Sequence, residues 1–138
     1  MKPDWEQAIR RGDLECLRRL LTAGADINSR DKYGQTALMI AARMGESSVA
    51  RFLVKNGAAL DYTAKYGLSA LMLAVIGGHA DIVRALVEAG ADLTIRGTGA
   101  PGFAGRTALE LATAQSRSDL AAMLRGSSRP QSSSAGEV

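Results

Sequence analysis

The stretch IRGTGAPGFAGRTALE, Ile95 to Glu110, spells G-x-G-x-x-G with Gly97, Gly99 and Gly102 and runs into helix-forming residues. Glycines at that spacing, set between a buried strand and a helix N-terminus, let backbone amides close around a pyrophosphate, with an acidic residue further on for the ribose. Asp119 stands near that distance, and ADLTIR before the glycines alternates like a short extended segment. Against this, Pro101 and GFAG push the expected helix start to Thr107, several residues past the third glycine, which makes the glycines read equally as turn residues. Cys16 is the other candidate, as a nucleophile with His79 as its base. One cysteine and one histidine exclude an internal disulfide and leave too few soft ligands for a structural zinc site. No paired carboxylates converge, since Asp26, Asp61 and Asp92 recur singly in loop-like text.

The elements that must position such groups are bounded first by composition. A chain of 138 residues with 46% hydrophobic and 4% aromatic content is expected to form one domain whose Ala, Leu, Val, Ile and Met suit short, closely packed helices. No apolar run approaches about 18 residues and no leader pattern occupies Met1 to Gly12, so the expectation is a cytoplasmic protein with no membrane association. The net charge of +3 is spread along the chain without a Lys/Arg block, so any basic surface must be assembled by folding.

The chain repeats itself. Asp31–Thr63 and Ala64–Arg96 are each 33 residues and align without a gap, Gly34 on Gly67, Leu38 on Leu71, Gly45 on Gly78, Leu53 on Leu86 and Gly57 on Gly90. Upstream, Gly12, Leu20, Gly24 and Ala25 fall one period earlier; downstream, GRTALELATA aligns only at a shift of 38, because Gly105 answers Gly67. Thr36, Ser69 and Thr107 read as N-caps of first helices, with capping boxes expected for Thr107–Glu110 and Asp4–Gln7. Gly45 and Gly78 are expected to end those helices, and Gly24, Gly57 and Gly90 to follow second helices in left-handed conformation. Second helices are marked by Cys16, Leu17, Leu20 and Leu21, by Val49, Leu53 and Val54, and by Ile82, Val83, Leu86 and Val87 at helical spacing. Each pair is too short to bury its own apolar face and must lean on its neighbours.

The glycine turn, TALMIAA or SALMLAV, GGHADIV, and EAGADL resemble the ankyrin repeat over about Asp4 to Leu124. The resemblance implies an all-α, ankyrin-type helical solenoid of about four stacked helix-turn-helix units, near residues 4–30, 31–63, 64–96 and 97–125, with short hairpin loops between them. The first unit carries Glu6, Gln7, Arg10 and Arg11 as a polar cap. The last second helix, SDLAAMLRG, reads as short and weakly amphipathic, and Ser-rich 126–138 as a disordered tail. The family's T-P-L-H proline is Ala37, Ala70 and Ala108 here, and its histidine is Met39, Met72 and Glu110, which replaces expected polar contacts between repeats by packing. On this register the G-x-G-x-x-G is an inter-repeat hairpin enlarged by five residues. Cys16 falls on core positions, too far from His79 for catalysis, while His79 takes a turn or capping role.

What the resemblance implies about function is binding, with no enzymatic activity, cofactor or metal. Partners of such stacks dock on the concave face made by hairpin tips and first helices. By register that face is Lys32, Tyr33, Gln35, Arg43 and Met44, then Lys65, Tyr66, Leu68 and Ile76, flanked by Arg10 and Arg11 before and by Phe103 and Arg106 after. Six cations, three aromatics and no acid point to another protein, engaged through a segment with acidic and apolar character by a monomer. Nucleic acid, with Tyr33 and Tyr66 stacking on bases beside Lys32 and Lys65, is the alternative, and self-association through the same face a third.

Overall fold

The computed structural model describes residues 1–99 and 102–128. Among them lie eight α-helices in four antiparallel pairs and no β-strand: α1 (Pro3–Arg11) with α2 (Leu14–Thr22), α3 (Ala37–Met44) with α4 (Ser47–Lys55), α5 (Ala70–Gly77) with α6 (Ala80–Glu88), and α7 (Ala108–Ala114) with α8 (Ser118–Ser128). The first helices pack in one row, α1 on α3, α3 on α5 and α5 on α7. The second helices form a parallel row, α2 on α4, α4 on α6 and α6 on α8. One apolar core runs the length of the stack, from Trp5 and Ile9 through Leu38, Leu53, Leu71 and Leu86 to Leu120 and Leu124.

Helix starts follow from side-chain chemistry. The hydroxyls of Thr36, Ser69 and Thr107 accept from the amides three residues on, at Met39, Met72 and Glu110, each at 3.3 Å, satisfying donors that the helix itself cannot. At Thr107 the expected capping box is complete, with Glu110 returning to the Thr107 amide at 2.9 Å. The box expected at Asp4 does not form. Pro3, whose fixed φ suits the first helical position, starts α1 two residues earlier with Lys2 as the cap, so Asp4 lies inside the first turn and serves the helix dipole instead.

Gly45 ends α3 with φ 78°, in the left-handed region. Ser116 takes the same place after α7 and is held at φ 56°, a conformation that costs a residue with a Cβ about 1 kcal/mol or more. Ser116→Gly is therefore expected to stabilise the fold by roughly 0.5 kcal/mol, the relief of strain being partly offset by a more flexible unfolded chain, and to raise Tm by about 2 °C in calorimetry.

Both ends of the stack are polar where the middle is apolar. Ala37 and Ile40 are buried, whereas their register equivalents Asp4 and Gln7 line an open groove on the outer end of the first pair. At the other end, buried Met72 and Val75 become exposed Glu110 and Thr113. Trp5, in the register of Leu38, closes the first pair's core and leaves its indole Nε1 without a partner among the described residues. Two expectations about the last unit change. Helix α8 spans 11 residues, making it the longest of the eight, and it runs past Gly126 into the segment expected as tail. A glycine near a helix end costs only about 1 kcal/mol and does not by itself stop the helix. The rest of that segment, 129–138, lies outside the described residues.

Polar links between units come from positions other than the family's usual histidine. Met39 and Met72 are buried core residues. Asn28 Oδ1 accepts from the Ala59 amide and, one period on, Asp61 Oδ1 accepts from the Asp92 amide, both at 2.8 Å. Arg30 Nη1 donates to the carbonyls of Gly34 and Thr63, each at 2.9 Å, tying one hairpin to the next.

Candidate partner-binding face

The projecting hairpins are built differently although their sequences align. In the first, Asp31 Oδ1 accepts from the amides of Tyr33 at 2.9 Å and Gln35 at 2.8 Å, fixing an Asx-type turn that leaves the Tyr33 ring outward, 60% exposed. In the second, Ala64 stands where Asp31 was. Without the carboxylate the turn becomes a 3-10 turn over Lys65–Gly67 with Tyr66 at φ 65° and ψ 18°, left-handed for a bulky residue. That strain is held by the next hairpin: the Thr98 amide donates to the Tyr66 carbonyl at 2.6 Å, and the Phe103 ring lies 6.0 Å from the Tyr66 ring.

The glycine-rich segment is that next hairpin. Gly97 donates to Arg106 O and Gly105 donates to Gly97 O, both at 2.9 Å. A Cβ on Gly97 would stand 2.5 Å from the Phe103 carbonyl oxygen, so the close approach of the two arms requires glycine. The amides of Gly97 and Thr98 already donate to protein carbonyls and so are not free to cradle a phosphate, and among the described residues no strand precedes them. Ala100 and Pro101 lie outside the described residues.

Below the tips, the first helices contribute Arg43, whose guanidinium lies 3.4 Å from Gln35 Oε1, exposed Met44, and Ile76, half-buried against the core. Lys32 Nζ sits 5.2 Å from the Tyr33 ring centre and Lys65 Nζ 5.0 Å from that of Tyr66, so each tyrosine carries its own cation. Arg10 reaches Met44 Sδ at 3.8 Å. It is also paired with Glu6 at 2.9 Å, which brings an acid into a face expected to hold none. The pairing is a one-turn contact along α1, readable from the sequence as Glu6 and Arg10 at i and i+4.

Three expected positions differ. Leu68 is 6% exposed and belongs to the core, because it follows the turn into the cap of α5 and faces inward. Arg11, about 100° around α1 from Arg10, lines the end groove with Asp13, Cys16 and Arg19 instead. Cys16 is only half-buried, since the first unit has no preceding pair to cover it as its equivalents Val49 and Ile82 are covered. His79 holds the N-cap position of α6, as its turn or capping role implied, although its side chain makes no capping bond there. Its ring covers Gly45 of the preceding unit, with Nε2 donating to the Arg43 carbonyl at 3.3 Å.

Arg106 is exposed beside the enlarged hairpin. The Thr107 amide, then the nearby Arg96 and Arg106 charges, hold the Glu110 carboxyl below the ordinary range, and the Thr94 hydroxyl and amide do the same for Asp92. Both are turn and cap carboxylates, kept ionised and acceptor-only. Among the described residues no group of His, Cys, Asp and Glu could hold a metal ion.

Stacked helix pairs joined by projecting hairpins agree with a family comparison, in which a model of ankyrin repeats, three copies, matches residues 5–97. The chain belongs to the ankyrin-repeat family. Ankyrin repeats are generally protein–protein interaction modules. No curated protein matches the chain significantly. The pair α7–α8 lies beyond the matched residues, after the enlarged hairpin that breaks the 33-residue period, yet it packs on α5 and α6 as each ankyrin unit packs on the one before.

Proposed function

We propose that this ankyrin-repeat chain is a non-enzymatic, cytoplasmic monomer that binds another protein across its hairpin tips and first helices, through a partner segment combining carboxylates with apolar anchors. The observation that carries this reading is the repeated lysine–tyrosine pair, Lys32 with Tyr33 and Lys65 with Tyr66, the second extended by Phe103 into a joined aromatic surface. Aromatics supply contact area at low entropic cost, and the cations beside them steer acidic partners. Met44 and Ile76 continue the apolar path down the first helices, flanked by Arg43. No helix among the described residues is long and apolar enough to cross a membrane.

The test begins with proteins captured from native lysate by the wild-type chain and by a variant carrying Arg43→Glu and Lys65→Glu. For a partner so identified, Tyr66→Ala is expected to weaken binding about 30-fold with the helical circular dichroism intact. Unchanged affinity would reject this face. A steep, near-linear fall of log affinity with log salt would favour nucleic acid, whereas a mixed carboxylate and apolar contact weakens only moderately.

A further inference from the structure

The second helices carry an arginine at one position of three successive units: Arg18 on α2, Arg51 on α4 and Arg84 on α6, each 33 residues after the last. Their side chains are 58%, 57% and 56% exposed. One turn earlier stand Glu15, Ser48 and Asp81. Glu15 holds Arg18 at 2.9 Å. Ser48 has no charge to offer, so Arg51 turns to Asp81 of the following unit at 3.8 Å, and the same carboxylate faces Arg84 at 3.9 Å. Both separations exceed hydrogen-bonding distance. Three guanidinium groups thus share two carboxylates, one of them divided, and Lys55 adds a cation to a helix that contains no acid.

The ladder borders an open groove of about 320 Å³ between α2 and α4, walled by Leu21 and Phe52 with Arg18 and Lys55 at its rim. The Arg18 guanidinium lies 5.9 Å from the Phe52 ring centre. Packed helices stand about 8–10 Å apart, which sets the scale on which one arginine per unit recurs. A β-strand returns to the same side every second residue, about 6.7 Å on, whereas a polyproline-II segment returns every third, about 9.3 Å on. One arginine per packed helix, recurring on that scale, matches the second repeat more nearly than the first. Polyproline-II segments also dock their prolines against aromatic side chains, and Phe52 supplies one in this groove beside the aliphatic Leu21.

We infer that the face of the second helices is a docking site for an acidic, proline-rich segment of a partner protein, bound as a polyproline-II helix with a carboxylate at every third residue. It is separate from the tyrosine face, and one of its carboxylates takes the place beside Arg51 that Ser48 leaves without charge. Exposed ion pairs are weakly held, so Asp81 yields little when an incoming carboxylate replaces it.

A fluorescent Glu-Pro-Pro repeat of about four turns, compared by anisotropy with a peptide of identical composition whose glutamates are contiguous, tests this. The wild-type chain is expected to bind the spaced peptide about tenfold more tightly than the clustered one. The variant Arg51→Glu with Arg84→Glu should lose about tenfold or more for the spaced peptide, and Lys32→Glu with Lys65→Glu should leave it unchanged. Equal affinity for both peptides, indifference to the arginine variant, or tighter binding of a single-stranded oligonucleotide would overturn the inference. Loss only in the lysine variant would also overturn it while leaving the tyrosine face standing.

Discussion

Replacing Leu71 by alanine is expected to lower the free energy of unfolding by about 3 kcal/mol, within the roughly 2–5 kcal/mol spread of buried leucine truncations. Leu71 is 1% exposed on α5, a helix packed against both α3 and α7, so neighbours on two sides prevent the cavity from collapsing. Leu109 occupies the same register in the last first helix and is only half-buried. The same substitution there should cost about 1 kcal/mol. Urea unfolding followed by circular dichroism, with m-values checked for constancy, compares the two. Equal costs at the two positions would mean that burial in this chain is not supplied by stacking, contrary to the nearest-neighbour behaviour of repeat folds.

Gly45→Ala is expected to cost about 2–3 kcal/mol, from two separable sources. A φ of 78° disfavours any Cβ by about 1–2 kcal/mol. The added carbon would also stand 2.6 Å from His79 Cε1, forcing the ring away and breaking its bond to the Arg43 carbonyl, worth about 1 kcal/mol. Gly57 is the internal control, since its φ is 85° but nothing lies within 4 Å of a Cβ there. Gly57→Ala should show only the backbone cost. In the double variant Gly45→Ala with His79→Ala, the steric part disappears and a coupling of about 1 kcal/mol remains to be measured; strict additivity would remove His79 from the account.

Much of the scaffold was legible because it rests on local rules. The N-caps at Thr36, Ser69 and Thr107 need only a hydroxyl and an amide three residues on, and left-handed Gly45 and Gly78 need only the absence of a Cβ. The false capping box at Asp4 came from the same kind of rule, overridden by the stronger constraint of the neighbouring Pro3. The face was harder to read. Register placed Leu68 among exposed residues because it aligns with Gln35, but both precede a helix cap, and the structure buries the leucine while leaving the glutamine amide side chain to meet Arg43. Adjacent Arg10 and Arg11 were treated together although one residue of helix turns them to different surfaces.

By itself the sequence determined the helical pairs, their order and the hydroxyl caps at Thr36, Ser69 and Thr107, and with these the family and the reading of the glycine-rich segment as a hairpin. Such features depend on periodicity and on chemistry within a few residues, which a linear pattern carries in full. The tertiary structure alone decided that Tyr66 takes a left-handed turn and meets Phe103, that His79 covers Gly45, and that Arg51 must share Asp81 with Arg84. Each of these joins residues about 30 or more apart through the stacking of one unit on the next. Their outcome depends on which side chain a neighbour presents at a given spot, and only packing in three dimensions settles that.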